Sequence, residues 1–186
     1  MNPTSNKSDF EELTTNLKDL AYSYLEKYSP SKQQLKVFLL KKYLTKIKGT
    51  VSKREVSMII DEIIINLEKN RIVNDELYSD SKARMFLRRG YSLNKINQSL
   101  RNKGIDSKYI KQTIDKIKED EIEPDFVSAL KLCKRRRIGP LRPEANRELF
   151  YKKDMGILAR GGFSFDLSKR ILDLDQKEFN KLLKIA

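Results

Sequence analysis

The chain has 186 residues and a net charge of +13, with 39% hydrophobic and 35% charged side chains. This balance fits amphipathic helices with wide solvent-exposed faces and excludes one large buried sheet, and the length predicts one or two domains. The positive excess runs along the whole chain and is heaviest, at +6, over residues 123–186. It therefore predicts a folded body with a basic surface and a polyanionic partner, not a disordered basic tail.

The first predicted helices follow from capping residues and helix breaks. Capping boxes formed by Ser8 with Glu11, Ser31 with Gln34, and Ser52 with Glu55 predict three helix starts. The second helix is expected to end at Gly49. Over residues 56–67 the apolar side chains recur with a 3.6-residue period, which predicts a helix rather than a strand despite the several isoleucines.

The same alternation of helix-capping and helix-breaking residues recurs over residues 74–122. Asn74 and Asp75 begin a helix that runs to about Arg89, Ser92 begins a short one that Gly104 closes, and Asp106 or Ser107 begins a third. The first of these three is expected to turn several side chains inward, namely Leu77, Tyr78, Ser81, Met85 and Phe86 or Leu87. In the other two, the expected inward residues are Leu93, Ile96, Leu100, Ile110, Ile114 and Ile117.

A third cycle begins at Pro124, where Phe126, Ala129, Leu130 and Cys133 form the apolar face. A basic segment interrupts it, and helices are then predicted from Glu144 to about Arg160, from Ser164 to about Leu172, and from Asp175 to the end.

An internal repeat connects these segments. Ser31, Ser92 and Ser164 each follow a basic stretch with a helix break, and each precedes a leucine by eight residues (Leu39, Leu100 and Leu172). We therefore predict an all-α, elongated protein built from three tandem three-helix modules. Their predicted bounds are 10–73, 74–122 and 123–186, after a flexible N-terminus at 1–9.

Residue types needed for catalysis and metal binding are scarce. The chain has no histidine and one cysteine, which excludes a disulfide framework and a His/Cys zinc site. Neither common glycine-rich phosphate loop occurs. Cys133 lacks a base to activate it, and this favours a half-buried packing role. The acidic cluster at 119–125 has carboxylates enough for Mg²⁺, but its place beside Pro124 favours a solvated linker. We predict no cofactor and no enzymatic activity.

The expected location is the cytoplasm. The first ten residues lack the apolar run of a signal peptide, and a single cysteine suits a reducing compartment. The most apolar stretch, at 58–67, contains Asp61 and Glu62 and is too short to span a bilayer. No membrane contact is expected.

Residues 74–105 resemble the most distinctive stretch of the RecX recombination regulators. The matching positions are Asp75, Tyr78, Arg89, Gly90, Ile96, Leu100, Lys103, Gly104 and Ile105. The resemblance runs from about residue 20 to residue 175, and YLEKYSPSKQQLKVFLLKKY is similar to the opening of the family. KRRRIGPLRP and LARGGFSFDLSKRILDLD resemble its alphaproteobacterial branch.

The resemblance implies a monomeric, elongated and curved helical protein that lodges in the groove of the RecA filament on single-stranded DNA. Such proteins restrain filament growth, ATP hydrolysis and strand exchange without enzymatic activity of their own. The alternative is a general basic nucleic-acid-binding protein of helix-turn-helix-like or architectural type. Short helices that end at a glycine just before a serine-capped helix fit the spacing of a helix-turn-helix motif. However, a DNA reader usually confines its basic residues to one recognition helix.

The candidate contact residues are basic side chains near helix ends. The first group is Lys134, Arg135, Arg136, Arg137 and Arg142. Arginine suits bidentate contacts with phosphate or carboxylate, and the Gly-Pro pair after this run stops the helix. The second group is Arg88, Arg89, Arg101 and Lys103, for which a solvated helix end is an equal explanation. Arg160 is the last candidate, and compensation of the helix dipole slightly outweighs contact there.

Aromatic side chains offer a second mode of binding, by stacking on bases. The ones considered are Tyr22, Tyr24, Tyr28, Phe38, Phe86, Tyr91, Phe163 and Phe165. All of them lie on or beside the apolar stripes of predicted helices, so we expect them to pack in the core.

Overall fold

The computed structural model describes residues 3–46 and 51–185, and every regular element in these two segments is helical. In chain order the α-helices are α1 (Pro3–Leu25), α2 (Lys32–Lys46), α3 (Lys53–Lys69), α4 (Asp75–Arg88), α5 (Leu93–Arg101), α6 (Ser107–Asp120), α7 (Pro124–Arg136), α8 (Glu144–Arg160), α9 (Phe165–Leu172) and α10 (Gln176–Ile185). A short 3₁₀ turn, Gly139–Leu141, lies between α7 and α8. The predicted all-α class is confirmed.

The capping residues mark the helix starts as the sequence predicts. Ser31 and Gln34 bond reciprocally, each backbone N–H donating to the other side chain over 3.2 Å. Ser52 and Glu55 form a complete capping box before α3. The hydroxyl of Ser92 accepts the N–H of Lys95 over 3.1 Å. Each such cap stabilises its helix by about 1 kcal/mol, because it satisfies backbone donors that have no partner inside the helix.

Some helix boundaries differ from the prediction. α1 begins at Pro3, so the helix does not start at the Ser8 capping box, and residues 3–9, expected to be a flexible terminus, are helical. The expected helix end at Gly49 lies outside the described residues. Residues 123–186, named above as a three-helix module, contain the four helices α7 to α10 within their described part, and these begin close to the four predicted starts at Pro124, Glu144, Ser164 and Asp175.

The chain forms two compact units, of which the first comprises the described residues up to Tyr78 together with Lys103–Ile105. Its core is formed by apolar side chains of α1, α2 and α3, centred on Leu17, Leu35, Leu39, Val56, Ile60 and Ile63. The helical spacing of the isoleucines in α3 is therefore confirmed. Tyr24 stacks on Phe38 at 4.0 Å between ring centroids. Tyr22, Tyr28 and, in the second unit, Phe165 are exposed, contrary to the predicted core packing.

The second unit comprises residues 79–102 and the described residues from Asp106 onward. Its main core joins Phe126, Leu130 and Cys133 of α7 to Leu158, Ile171 and Phe179 of the following helices. Cys133 is fully buried rather than half-buried. Burial, with a smaller effect of the Asp154 charge, raises the pKa of this thiol to about 12, so it stays protonated and unreactive near neutral pH.

The inward face of α4 differs from the prediction. Leu77 and Ser81 are exposed, whereas Asp75, Ser79 and Ala83 are buried. Hydrogen bonds to these buried polar groups offset the free-energy cost of removing them from water. The Asp75 carboxylate accepts a backbone N–H from α2, and the Ser79 hydroxyl accepts the hydroxyl of Thr113 over 2.9 Å. The apolar pattern failed here because polar residues occupy the inner face.

Within the first unit, the start of α2 is held by residues distant in sequence. The Ser31 hydroxyl donates to the carbonyl of Lys103 over 2.7 Å, and the N–H of Lys32 donates to the Asp75 carboxylate over 2.9 Å. Gly104 follows with a φ of +73°, and a Cβ there would overlap Gln33 of α2. We call this arrangement of serine cap, aspartate and glycine turn the first clasp.

The second unit contains a corresponding arrangement at the start of α5, the second clasp. The N–H of Ser92 donates to the carbonyl of Gly161 over 3.1 Å, and the N–H of Leu93 donates to the Asp125 carboxylate over 2.7 Å. Gly162 follows with a φ of +90°, and a Cβ there would overlap the Ser92 hydroxyl. In both clasps an aspartate from the start of one helix caps the start of an earlier helix.

The two clasps correct the register of the internal repeat. Gly104 and Gly162 hold equivalent places, so Ser164, two residues after Gly162, corresponds to Asp106. The predicted alignment of Ser164 with Ser31 and Ser92 is therefore wrong. In the corrected register α9 corresponds to α6, and α10 is additional to the three-helix pattern.

Candidate nucleic-acid interface

One groove of the second unit brings cationic side chains together from three helices. Arg135 and Arg136 come from the last turn of α7, Arg160 ends α8, and Lys95 lies in the first turn of α5. The other residues lining it are Tyr91, Leu132, Ile157 and Gly161. The groove has a volume of about 430 Å³, and none of the described residues that line it carries a carboxylate. We call it the basic groove.

The end of α7 determines how its arginines are presented. Arg137 adopts a left-handed conformation with a φ of +53°, and the N–H of Ile138 returns to the carbonyl of Cys133 over 3.2 Å. This is the common C-terminal closure of a helix. Arg135 and Arg136, just before this closure, are exposed, and their charge also complements the C-terminal end of the helix dipole.

An aromatic pair supports one of these arginines. The guanidinium carbon of Arg135 lies 5.7 Å from the ring centroid of Tyr91. Tyr91 is partly buried, and its ring meets that of Phe86 edge to face at 5.7 Å between centroids. A guanidinium over an aromatic face is attracted by the ring quadrupole. Arg135 therefore enters the groove in a partly fixed orientation.

The second clasp forms one wall of the groove. The hydrogen bond between Ser92 and Gly161 and the close approach of Gly162 to Lys95 bring the start of α5 beside the end of α8. In the first clasp, Pro30 and Gln34 stand at the positions equivalent to Tyr91 and Lys95. The cationic lining thus belongs to the second clasp and is not repeated at those positions of the first.

Arg142 has an internal partner. Its Nε and Nη2 donate to the two carboxylate oxygens of Asp154 over 2.6 and 2.7 Å, and its guanidinium lies 4.5 Å from the ring centroid of Phe150. Asp154 is 1% exposed and also accepts the N–H of Gly139 over 2.9 Å. The hydrogen bond with Asp154 raises the pKa of the Arg142 guanidinium. Arg142 therefore holds the α7–α8 connection and does not line the basic groove.

The remaining first-group candidates, Lys134 and Arg137, are exposed but do not line the basic groove. Arg88 lines a different groove of about 220 Å³ between α4, α6 and α7, where Asp120 and Glu121 balance the basic side chains.

Arg89 and Arg101 are exposed, and the exposed Lys103 contributes its backbone carbonyl to the first clasp. Of the ten predicted contact residues, the structure thus brings together Arg135, Arg136 and Arg160. Lys95 was missed, although its position in the first turn after the Ser92 cap gives a signal. Tyr91, considered for base stacking and expected in the core, is partly buried and lines the groove.

Two of the carboxylates considered for Mg²⁺ have structural partners. Asp125 caps α5 in the second clasp, and burial raises the pKa of its carboxyl. Glu123 pairs with Arg170 over 3.0 Å. Within the described segments, no three histidine, cysteine, aspartate or glutamate side chains lie close enough together to hold a metal ion. No helix in the same segments has both the length and the apolar character needed to cross a membrane.

Known proteins similar to this chain agree on one family. A family model described as the second three-helix domain of RecX matches residues 74–114, which include the stretch that carries the predicted resemblance. The regulatory protein RecX of Corynebacterium efficiens is 32% identical over 123 residues, covering 62% of this chain and 57% of the relative. A crystal structure of regulatory protein RecX has the same fold, with a TM-score of 0.61 at 20% identity, covering 92% of this chain and 77% of that one.

The regulatory protein RecX of Myxococcus xanthus (strain DK1622) is similar over nearly the full length. The two are 32% identical over 161 residues, which cover 86% of this chain and 85% of the relative. Such identity over most of both chains, together with the matching fold, establishes that the chain belongs to the RecX family.

Proposed function

We propose that this chain binds the RecA filament on single-stranded DNA and restrains its ATP hydrolysis, its growth and strand exchange. The observation that carries the proposal is the basic groove, where four cations from three helices face outward together. Its relatives in the RecX family are named regulatory proteins, which fits a protein that acts by binding. Occupying a filament requires contact with a polyanion and needs no reacting group.

The chemistry of the second unit supports binding over catalysis. Cys133, the chain's one thiol, is buried, and its pKa of about 12 keeps it protonated. The arginines of the groove are permanently charged and suited to bidentate contact with phosphate or carboxylate. Because the second clasp holds Lys95 beside Arg160, the groove is formed before any partner arrives, which lowers the entropic cost of binding.

A general basic nucleic-acid-binding protein is the second candidate. The exposure of Lys134 and Arg137 beside the groove arginines in sequence favours it, because such side chains meet any phosphate backbone. The two candidates differ in what they require. The filament regulator binds the RecA–DNA complex more tightly than naked DNA, whereas the general binder shows no such preference.

The test is RecA-catalysed, DNA-stimulated ATP hydrolysis titrated with this protein. We expect inhibition below one molecule per RecA. The variant Arg135→Ala/Arg136→Ala/Arg160→Ala should need at least about tenfold more protein, since three charge-assisted contacts are removed. Lys177→Ala/Lys181→Ala/Lys184→Ala is the matched control, because it removes the same charge from exposed positions of α10.

Wild-type protein without effect at one molecule per RecA contradicts the filament proposal. If both triple variants lose inhibition of ATP hydrolysis to the same extent, the effect comes from net charge, and a role of the groove is contradicted. Equal affinity of the wild type for naked single strands and for assembled filaments favours the general binder.

A further inference from the structure

We propose that the outer surface of α2 and α3 docks an acidic amphipathic helix of a partner protein. The inference rests on four exposed apolar side chains, namely Val37, Leu44, Met58 and Ile65. We call the surface that they form the outer apolar face. It belongs to the first unit, whereas the basic groove belongs to the second, and the inference does not depend on the function proposed above.

The α3 part of this face lies opposite the core. Met58 is two residues from both Val56 and Ile60, which are fully buried. Two residues along a helix correspond to about 200°, so the Met58 side chain points away from the core. Ile65 follows Met58 by seven residues, about two turns, and therefore lies on the same side of the helix.

The α2 part of the face has the same construction. Val37 is two residues from both Leu35 and Leu39, which are fully buried. It begins a stripe with the partly buried Leu40 and the exposed Leu44, at positions i, i+3 and i+7. Residues at these spacings are neighbours on one side of a helix. Each helix thus presents a second apolar stripe in addition to the one that it buries.

An ion pair places the two stripes side by side. The Lys36 ammonium of α2 donates to Oδ2 of Asp61 in α3 over 2.8 Å. Asp61 lies three residues after Met58 and four before Ile65, so it is on the same side of α3 as both. Lys36 lies four residues before Leu40 of the α2 stripe. The stripes therefore adjoin across this ion pair and form one surface.

The exposure of this surface indicates a binding role. The exposed fractions are 52% for Val37, 51% for Leu44, 65% for Met58 and 50% for Ile65. Single exposed apolar residues are common, but these four lie together. They present on the order of a few hundred Å² of apolar surface, the size at which a patch on a monomer is often functional. A partner that covers them gains the free energy of removing this surface from water.

The dimensions of the face favour a single helix as its occupant. Both stripes have the seven-residue spacing with which helices pack against another helix. An amphipathic helix laid along the face would cover both stripes with its own apolar side. A second copy of this chain fits less well, because a stable dimer buries about 800 Å² on each partner, more than this face offers.

The charges around the face indicate that the partner helix is acidic. Lys41, Arg54 and Lys69 are exposed, and each lies four residues from an apolar member of the face. Glu62 is an exposed anion beside them, whereas Lys36 and Asp61 neutralise each other. The cations therefore exceed the anions around the face. They attract acidic side chains, and they repel a second copy, which would bring the same cations against them.

The experiment measures binding of a labelled synthetic peptide to the full-length protein by fluorescence anisotropy. The peptide has about 18 residues, with leucine at heptad positions a and d and glutamate or alanine elsewhere. Met58→Ser/Ile65→Ser should weaken binding at least about tenfold, because two apolar side chains no longer contribute to the contact. Leu77→Ser/Leu149→Ser is the matched control, since it removes two exposed leucines outside the face, and it should bind like the wild type.

A charge reversal tests the chemistry of the partner. Lys41→Glu/Lys69→Glu should weaken binding of the acidic peptide and strengthen binding of a version with lysine in place of glutamate. Both positions are exposed, so far-UV circular dichroism should show an unchanged fold. A peptide of the same composition with its leucines out of heptad spacing should bind the wild type at least about tenfold more weakly, because it has no apolar side.

Four results would overturn the assignment. The first is equal affinity of the peptide for Met58→Ser/Ile65→Ser and for the leucine control. The second is a reversed-charge variant that binds the acidic peptide as tightly as the wild type. The third is a wild-type dimer in sedimentation that Met58→Ser/Ile65→Ser dissociates, which would assign the face to a second copy. The fourth is displacement of the peptide by phosphatidylglycerol vesicles, which would assign it to a lipid surface. These measurements contain neither RecA nor nucleic acid, so they are independent of the filament assay.

Discussion

Replacing Gly90 by alanine should destabilise the second unit by about 2–5 kcal/mol. Gly90 has a φ of +70°, where an L-residue costs about 1–2 kcal/mol. A Cβ there would lie 2.5 Å from the backbone nitrogen of Leu132 and 2.7 Å from the carbonyl oxygen of Ser128. Both atoms belong to the backbone of α7, so no side chain can move aside, and overpacking of this kind costs about 1–3 kcal/mol more.

The assay is denaturant-induced unfolding followed by far-UV circular dichroism. Gly156→Ala is the matched control, because Gly156 lies inside α8 and its Cβ would meet only the end of the Arg160 side chain at 3.5 Å. This variant should gain about 0.5–1 kcal/mol from helix propensity. Gly90→Asn separates the cost of the left-handed backbone from the steric cost of the Cβ against α7. Asparagine tolerates the left-handed conformation but carries the same Cβ. A Gly90→Ala protein within about 0.5 kcal/mol of the wild type would refute the reasoning.

Two further predictions concern buried carboxylates. Arg142→Ala should lower the free energy of denaturant unfolding by on the order of 3 kcal/mol, because it leaves the charge of Asp154, which is 1% exposed, without its cation. Arg142→Ala/Asp154→Ala should recover part of the lost stability. A single variant as stable as the double variant would contradict the prediction. Burial raises the pKa of Asp75, so the folded state binds this proton more tightly than the unfolded state, and the group's contribution to stability falls as pH rises above the ordinary aspartate range. Asp75→Asn keeps an acceptor for the Lys32 N–H but does not ionise. The unfolding free energy of this variant, minus that of the wild type, should therefore rise between about pH 4 and pH 7. A difference that stays the same over this range would contradict the prediction.

The parts of the fold that could be predicted are the ones decided by near neighbours. Ser31 with Gln34 and Ser52 with Glu55 act across three residues, so their helix starts are visible in the sequence. The inner face of α4 could not be found in this way. Its buried Asp75 bonds to Lys32, 43 positions away, and nothing near Asp75 in sequence indicates that partner. The repeat register failed for the same reason, because the clasps that define it are long-range contacts.

The candidate site also has features that near neighbours in sequence indicate and features that depend on long-range contacts. Charge, helix ends and the family resemblance made Arg135, Arg136 and Arg160 candidates for contact with a polyanion, although compensation of the helix dipole was slightly favoured for Arg160. Their sequence context did not distinguish them from Arg142, whose guanidinium is bound by Asp154, 12 residues later.

By itself, the sequence determined the helical class, most helix starts and the basic character of this protein, because these depend on composition and on bonds within one helical turn. The resemblance of residues 74–105 also identified the family. Only the tertiary structure decided which cations act together. The packing of α5 against the end of α8, through the second clasp, places Lys95 with three arginines, because the positions of charges in a groove depend on contacts between helices far apart in the chain.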